Sequence, residues 1–255
     1  INFGKNIPLR FLHLVVYSFL GFFISLKYIK ASTVTLGTSV PLPLSIIALF
    51  SAKIRKSKFI FEIRDVWPEE LIDIGSISRT SLVARLLRVI EVILCKSSHN
   101  IISALPNVDL HLKAIRQDLT FDYIPNPVDE NLEYTEYKGG EVNKLRILYL
   151  GGSGKAMSIE TIIEAYFLLP EELSIEIKFI GPFEIVNQYL SKEQKKDRKN
   201  FEYTKLVSKE EVPNYINQAD LLVHSIKNND QLKFGLNSNK LIEYCSSGRV
   251  VLLAA

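Results

Sequence analysis

The residues best suited to chemistry lie near the end of the chain, in the stretch Phe234-Gly235-Leu236-Asn237-Ser238-Asn239-Lys240-Leu241-Ile242-Glu243-Tyr244-Cys245-Ser246-Ser247-Gly248. A glycine and small polar residues open it, apolar residues recur at Leu241, Ile242 and Cys245, and Gly248 closes it, which predicts a capped loop feeding a short helix. The first-turn amides of Ser238, Asn239 and Lys240 have no intrahelical acceptors, and the helix dipole adds partial positive charge beside them. Such an entrance holds an anion, and Glu243, one turn further in, offers a carboxylate to a neighbouring hydroxylated group.

A second anion-binding pattern is the turn Gly151-Gly152-Ser153-Gly154-Lys155, where glycines let backbone amides approach a phosphate and Lys155 brings charge. It fits neither of two well-known phosphate loops: the third glycine of GxGxxG falls at Met157, and a Walker loop needs Ser or Thr where Ala156 stands. Taken alone, it is as compatible with a tight turn between a strand and a helix. The third set is Arg64-Asp65, which supplies a planar cation and a carboxylate. The same pair would also serve as a structural ion pair beside Trp67. Neither the four histidines nor the two cysteines, Cys95 and Cys245, have metal-ligand spacing, so no metal site is expected and a reducing compartment fits.

These residues are set in an alternation of β-rich and helical runs. Predicted strands cover Thr33 to Leu36, Lys58 to Ile63, Asn100 to Leu105 and Asp122 to Ile124, with helices at 43–54, 68–74, 81–96 and 107–117 between them. After a break at Pro125-Asn126-Pro127-Val128-Asp129 and the Gly139-Gly140 run, a second alternation has strands at 145–150, 174–180, 201–204, 220–225 and 250–253 and a helix at 159–168. That rhythm predicts parallel strands joined by crossover helices, with functional groups at the carboxyl ends of the strands. At 255 residues, 47% of them hydrophobic, the chain is long enough for two cores. We place the domains at 1–140 and 141–255. The charge-dense run 192–199 reads as a solvated helix face.

The net charge of +3 conceals an opening of 61 residues with no Asp or Glu, in which Lys5, Arg10, Lys27, Lys30, Lys53, Arg55, Lys56 and Lys58 are unopposed. No nucleic-acid-binding motif accompanies them, so an anionic membrane surface is the expected partner and nucleic acid is not. Residues 9–29 are apolar on nearly every helical face, but the uncharged run from Phe11 to Leu26 has 16 residues, short of the roughly 20 that span a bilayer. A buried or interfacial helix is expected. The chain starts with Ile and stops on a strand-like run, as a segment of a longer chain would.

Five segments together resemble the family-4 retaining glycosyltransferases of the GT-B fold, in order and spacing. They are Phe61-Glu62-Ile63-Arg64-Asp65-Val66-Trp67-Pro68-Glu69, Ile124-Pro125-Asn126-Pro127-Val128-Asp129, Ile180-Gly181-Pro182, Gln218-Ala219-Asp220 and Asn239-Lys240-Leu241-Ile242-Glu243-Tyr244. In that family two glutamates eight positions apart flank the helix start. Glu243 matches the second, and Gly235 stands at the first, as in the O-antigen and capsule (fucosamine-transferase-like) branch. Pro127 stands where Gly is usual and Ser238 where the branch commonly has Pro.

The resemblance implies an α/β fold of two Rossmann-like domains facing across a cleft, acceptor-side first and donor-binding second, both incomplete here without the family's amino-terminal loop and last units. It implies a cytoplasmic enzyme peripheral on the inner membrane face. That enzyme would move an acetamido or deoxy sugar from UDP, without metal or cofactor, to a saccharide or lipid-linked saccharide acceptor in polysaccharide synthesis. By the same resemblance the donor is bound by Gly151, Gly154, Lys155, Gly181, Val207, Gly235, Ser238, Asn239, Lys240 and Glu243, and Arg64 and Asp65 are catalytic. The residues by themselves imply only nucleotide binding. They leave open an epimerase of the same fold, or a non-catalytic nucleotide-binding or scaffold fragment.

Overall fold

The computed structural model describes residues 7–30, 33–129, 132–141, 143–152, 154, 156–181, 183–192 and 200–254. Lys5, Ser153, Lys155, Pro182 and residues 193–199 of the charged run lie outside them. The chain forms two compact units: Ile1–Pro125 with Asn229–Asn237, and Asn126–Asn228 with Ser238–Ala255. The sequence places the change of domain at 140/141; by packing, the first unit ends at Pro125 and later recovers a short segment.

In the first unit the order is α1 (Ile7–Tyr28), β1 (Val34–Thr38), α2 (Leu42–Arg55), β2 (Lys58–Ile63), α3 (Glu69–Asp73), α4 (Leu82–Ser97), β3 (Asn100–Ser103), α5 (Asp109–Ile115) and β4 (Asp122–Tyr123). The four strands are parallel in the order β1-β2-β3-β4. Alternation in β2 sends Phe59, Phe61 and Ile63 into a core shared with Leu42 and Leu49 of α2 and Leu87 and Leu94 of α4. Ser81 caps α4 by accepting a hydrogen bond from the Ala84 amide at 3.1 Å. Inside the same core the Glu91 carboxyl group meets His111 Nε2 at 2.8 Å, so the buried polar group has a hydrogen-bond partner.

The segment 229–237 joins this core through Phe234, whose carbonyl accepts from the Asn107 amide at 3.0 Å. Gln231 adds a bond from its amide nitrogen to Asp73 at 2.8 Å.

Over its described side chains, from Val16 onward, the opening helix is largely exposed. Along α1, Val16, Tyr17, Phe19, Leu20, Phe23, Ile24 and Tyr28 are 45–66% exposed, while Ser25 reaches the buried Ser51 of α2 at 2.6 Å and Arg55 donates to the Leu26 carbonyl. A single neighbouring helix cannot cover a helix that is apolar all round. No helix among the described residues is long and apolar enough to cross a membrane.

The second unit runs β5 (Leu145–Leu150), α6 (Ile159–Leu168), β6 (Ile175–Ile180), α7 (Phe183–Lys192), β7 (Phe201–Thr204), α8 (Val212–Gln218), β8 (Leu221–Ser225), α9 (Asn239–Ser246) and β9 (Val250–Ala254). All pairings are parallel, in the order β7-β6-β5-β8-β9. Side chains on both faces of β5 are buried, Tyr149 in one apolar cluster and Leu148 and Leu150 in the other, as a parallel sheet covered on both sides requires. Successive strands build outward from β5 one way to β7 and then restart on its other side with β8. Ligands of doubly wound sheets bind where that reversal occurs, outside the carboxyl ends of the strands.

Candidate functional site

At the reversal, β5 and β8 pair only at Ile147↔Leu221 and Leu148↔Leu222. Beyond Leu148 the strands part, and Tyr244 of α9 fills the gap. Its hydroxyl accepts from the Leu150 amide at 2.7 Å and donates to the Leu150 carbonyl at 3.1 Å. Tyr244 is fully buried, and burial pushes its phenol far above the usual tyrosine range, so it stays a neutral donor and acceptor. The helix is thereby fixed with its amino end at the end of β5.

Ser238 is the N-cap of α9 and its hydroxyl accepts from the Leu241 amide at 3.4 Å. The unclaimed first-turn amides are therefore those of Asn239 and Lys240, and Ser238 contributes the cap rather than a first-turn amide. Behind Ser238, at 3.4 Å from its hydroxyl, lies Nε2 of His224, fully buried at the end of β8 and edge-on to the Tyr244 ring. Burial, and then the nearby Lys240 charge, lowers the His224 pKa, leaving a neutral imidazole beneath the helix entrance.

The glycines at the strand ends make close approach possible. Gly151 has φ +146 and its amide bonds to the Ile180 carbonyl at 2.8 Å; a Cβ there would lie 1.7 Å from Lys240 Nζ. Gly181, with φ +109, would put a Cβ 2.3 Å from the Gly151 oxygen. At Gly154 a Cβ meets nothing within 4 Å, so no close approach requires a glycine there. The loop after β5 is tied to β8 by Ser225 Oγ, which donates to the Ser158 carbonyl at 2.6 Å and accepts from the Ser158 amide at 3.2 Å. Lys155, on that loop, lies outside the described residues.

Glu243 is half-buried in a pocket of about 540 Å³ with Asn126, Pro127, Val128, Asp129, Lys209 and Asn239. Asn126 donates to the Asn239 side chain at 2.6 Å and Lys209 pairs with Asp129, so the polar groups around Glu243 are already oriented. Val207 packs against the cluster of Leu148, Leu150 and Ile180.

In the first unit, Ser39 Oγ accepts from the amides of Arg64 and Asp65 at 3.0 and 3.2 Å, which fixes the turn after β2. Arg64 is exposed. Burial raises the Asp65 carboxyl against the lowering pull of Arg64. Burial first, and then the charge of Asp65, pushes Glu70 up to about 7. Gly235 belongs to this unit, with φ +102, and a Cβ on it would lie 2.5 Å from the Pro106 ring. A glycine there is demanded by backbone and packing alone.

The structure thus brings Gly151, Gly181, Ser238, Asn239, Lys240 and Glu243 to the carboxyl edge of one sheet. Sequence reasoning missed Tyr244, His224 and Glu70. A hydroxyl on the apolar face of a short helix was the available sign for Tyr244, whereas His224 and Glu70 gain their character from burial. Among the described residues no group of His, Cys, Asp and Glu is arranged to hold a metal ion.

No protein-family model and no curated protein matches the sequence. Among solved structures, the chain is similar to sucrose-phosphate synthase from Thermosynechococcus elongatus (TM-score 0.63, 13% identity, 84% of this chain and 54% of that one). It is also similar to Anabaena HepE in complex with UDP and glucose (0.61, 12%, 86% and 58%). A third is WaaG, a glycosyltransferase involved in lipopolysaccharide biosynthesis (0.56, 15%, 82% and 63%). The chain spans less than two thirds of the length of each. At such identities the likeness establishes the fold, which is that of the GT-B glycosyltransferases.

Proposed function

We propose that the protein is a retaining glycosyltransferase of the O-antigen and capsule branch, acting from a UDP-linked acetamido or deoxy sugar on a saccharide or lipid-linked saccharide acceptor. The observation that carries this reading is the parting of β5 and β8, with the amino end of α9, Lys240 and the Glu243 pocket gathered at the opening. HepE was solved with UDP and glucose, which supports the same ligand class for this site. The bond from the sugar's anomeric carbon to the diphosphate oxygen breaks, and a bond to the acceptor oxygen forms on the same face. The acceptor's proton passes to the departing phosphate.

The amides of Asn239 and Lys240, with Lys155, meet the charge that develops on the leaving group, and Glu243 holds the ribose hydroxyls. Arg64 and Asp65 are assigned to the sugar, where the carboxylate steadies positive charge at the anomeric carbon. With amides and lysines in that role the reaction needs no metal, and turnover should survive a chelator. The exposed apolar face of α1 beside an acid-free basic stretch supports peripheral attachment to the inner face of the cell membrane. Mass spectrometry of products formed by the complete gene product from a panel of UDP-sugars tests the reading. Sugar joined to an acceptor, with UDP released, is expected; a rearranged free nucleotide sugar would instead make the protein an epimerase.

A further inference from the structure

Three helices of the first unit turn apolar side chains outward. β1, β2 and β3 are neighbours in that order, joined by α2 and by α4, and right-handed crossovers put both helices on one face of the sheet. α2 packs against α4 and, through Ser51 and Ser25, also against α1. α4 is apolar on two opposite faces. Leu87, Leu94 and Cys95 enter the core, whereas Leu82, Leu86, Val89 and Ile93, at intervals of four, three and four, form a stripe that is 41–80% exposed. On α2, Phe50 and Ile54 are more than half exposed, and α1 adds the exposed side chains described above. Apolar patches of this extent mark an interaction site.

Charge decides what covers the patch. The only carboxyl group in the three helices is that of Glu91, which is buried. Lys53, Arg55, Arg85 and Lys96 are exposed, as is Lys56 at the end of α2. A second copy of the chain docking through α4 would bring a helix with exposed Arg85 and Lys96 against itself, with no exposed acid to meet them. Paired helices instead flank an apolar seam with opposite charges. A leaflet of anionic headgroups over acyl chains meets both the cations and the stripe.

We infer that α4, together with α2 and α1, forms a docking face for an anionic lipid surface, with Leu82, Leu86, Val89 and Ile93 entering the interface. The inference rests on the membrane-attachment reading above and extends it from the opening helix to residues beyond the acid-free stretch. Because the helices cover one face of the sheet, the strands run along the bilayer, and the turn after β2 that carries Arg64 and Asp65 opens at the margin of the contact. A lipid-linked acceptor is met there without leaving the interface.

Fluorescence of the complete gene product, labelled at one position of α4, tests this face. Leu86→Cys in a Cys245→Ser background carries nitrobenzoxadiazole, since the remaining thiol, Cys95, is buried; Val89→Cys is a second position should the first not fold. With vesicles of phosphatidylcholine and phosphatidylglycerol the emission should brighten and move to shorter wavelength, and with phosphatidylcholine alone it should change far less. In the unlabelled protein, Leu82→Gln with Val89→Gln should lower vesicle affinity about tenfold. Vesicle binding with the probe still in water, or undiminished by the two Gln substitutions, would confine attachment to α1 and overturn the assignment of α4. Equal response to neutral vesicles would overturn the anionic partner. A parent dimer that the two Gln substitutions make monomeric, read by light scattering, would give the stripe to a second copy instead. Failure of the parent protein to bind any vesicle would overturn the attachment reading itself, and this one with it.

Discussion

Tyr244 takes both main-chain groups of Leu150 into one hydroxyl, accepting from the nitrogen at 2.7 Å and donating to the oxygen at 3.1 Å. Tyr244→Phe preserves the ring but leaves a buried amide and carbonyl without partners, which costs about 1–3 kcal/mol. Urea unfolding should show that loss, and UDP affinity should fall as α9 loosens. A variant as stable as the parent would mean that Leu150 finds other partners.

Glu243→Gln should weaken UDP binding by about 10- to 150-fold, because charge-assisted hydrogen bonds to ribose contribute roughly 1.5–3 kcal/mol. The loss should be as large for uridine as for UDP. Titration calorimetry reads both ligands, and unchanged uridine affinity would remove Glu243 from the ribose.

Glu70 makes stability depend on pH. Its folded pKa of about 7 lies above the ordinary 4.5, so the folded state holds the proton more tightly than the unfolded one. The stabilising contribution is complete below pH 4.5 and is lost as pH rises through 7. Glu70→Gln should therefore gain stability relative to the parent between mildly acidic and mildly alkaline pH. The gain should be about 1 kcal/mol, well under the full linkage value because the side chain is only half-buried and solvent screens it. Parallel unfolding curves for both proteins at every pH would show that the carboxyl titrates normally.

Membrane attachment should be peripheral and salt-sensitive. Each Lys or Arg near an anionic surface contributes roughly 1 kcal/mol, and apolar side chains such as Phe19 and Phe23 add burial. The complete protein should float with vesicles containing anionic lipid, float less in high salt, and bind more weakly when Lys53, Arg55, Lys56 and Lys58 become Gln. Equal recovery with neutral vesicles would eliminate the electrostatic contribution, and no flotation at all would eliminate docking.

Strands such as Lys58–Ile63 and Leu145–Leu150 were legible because a buried parallel strand is a short apolar run bounded by turns. Helix α8 was not, since Val212-Pro213-Asn214 and the closing Asn217-Gln218 are weak helix formers that the fold overrides. The amphipathic pattern of α7 passed unread beside the charged run that follows it. Around the site, glycines, the cap and Glu243 showed themselves by residue type. His224 beneath Ser238, and the acidity of Glu70, follow from burial among residues distant in sequence or on a turn whose packing the sequence does not state.

The return of residues 229–237 to the first unit makes the two units inseparable as genes. A cut anywhere between Pro125 and Asn229 would strip that unit of Phe234, a core side chain, and of the residues that meet Asn107 and Asp73. An independently expressed first half would need this nine-residue strip supplied in trans or grafted through a new loop. Grafting of that strip, rather than truncation alone, is the route by which the halves could be studied apart.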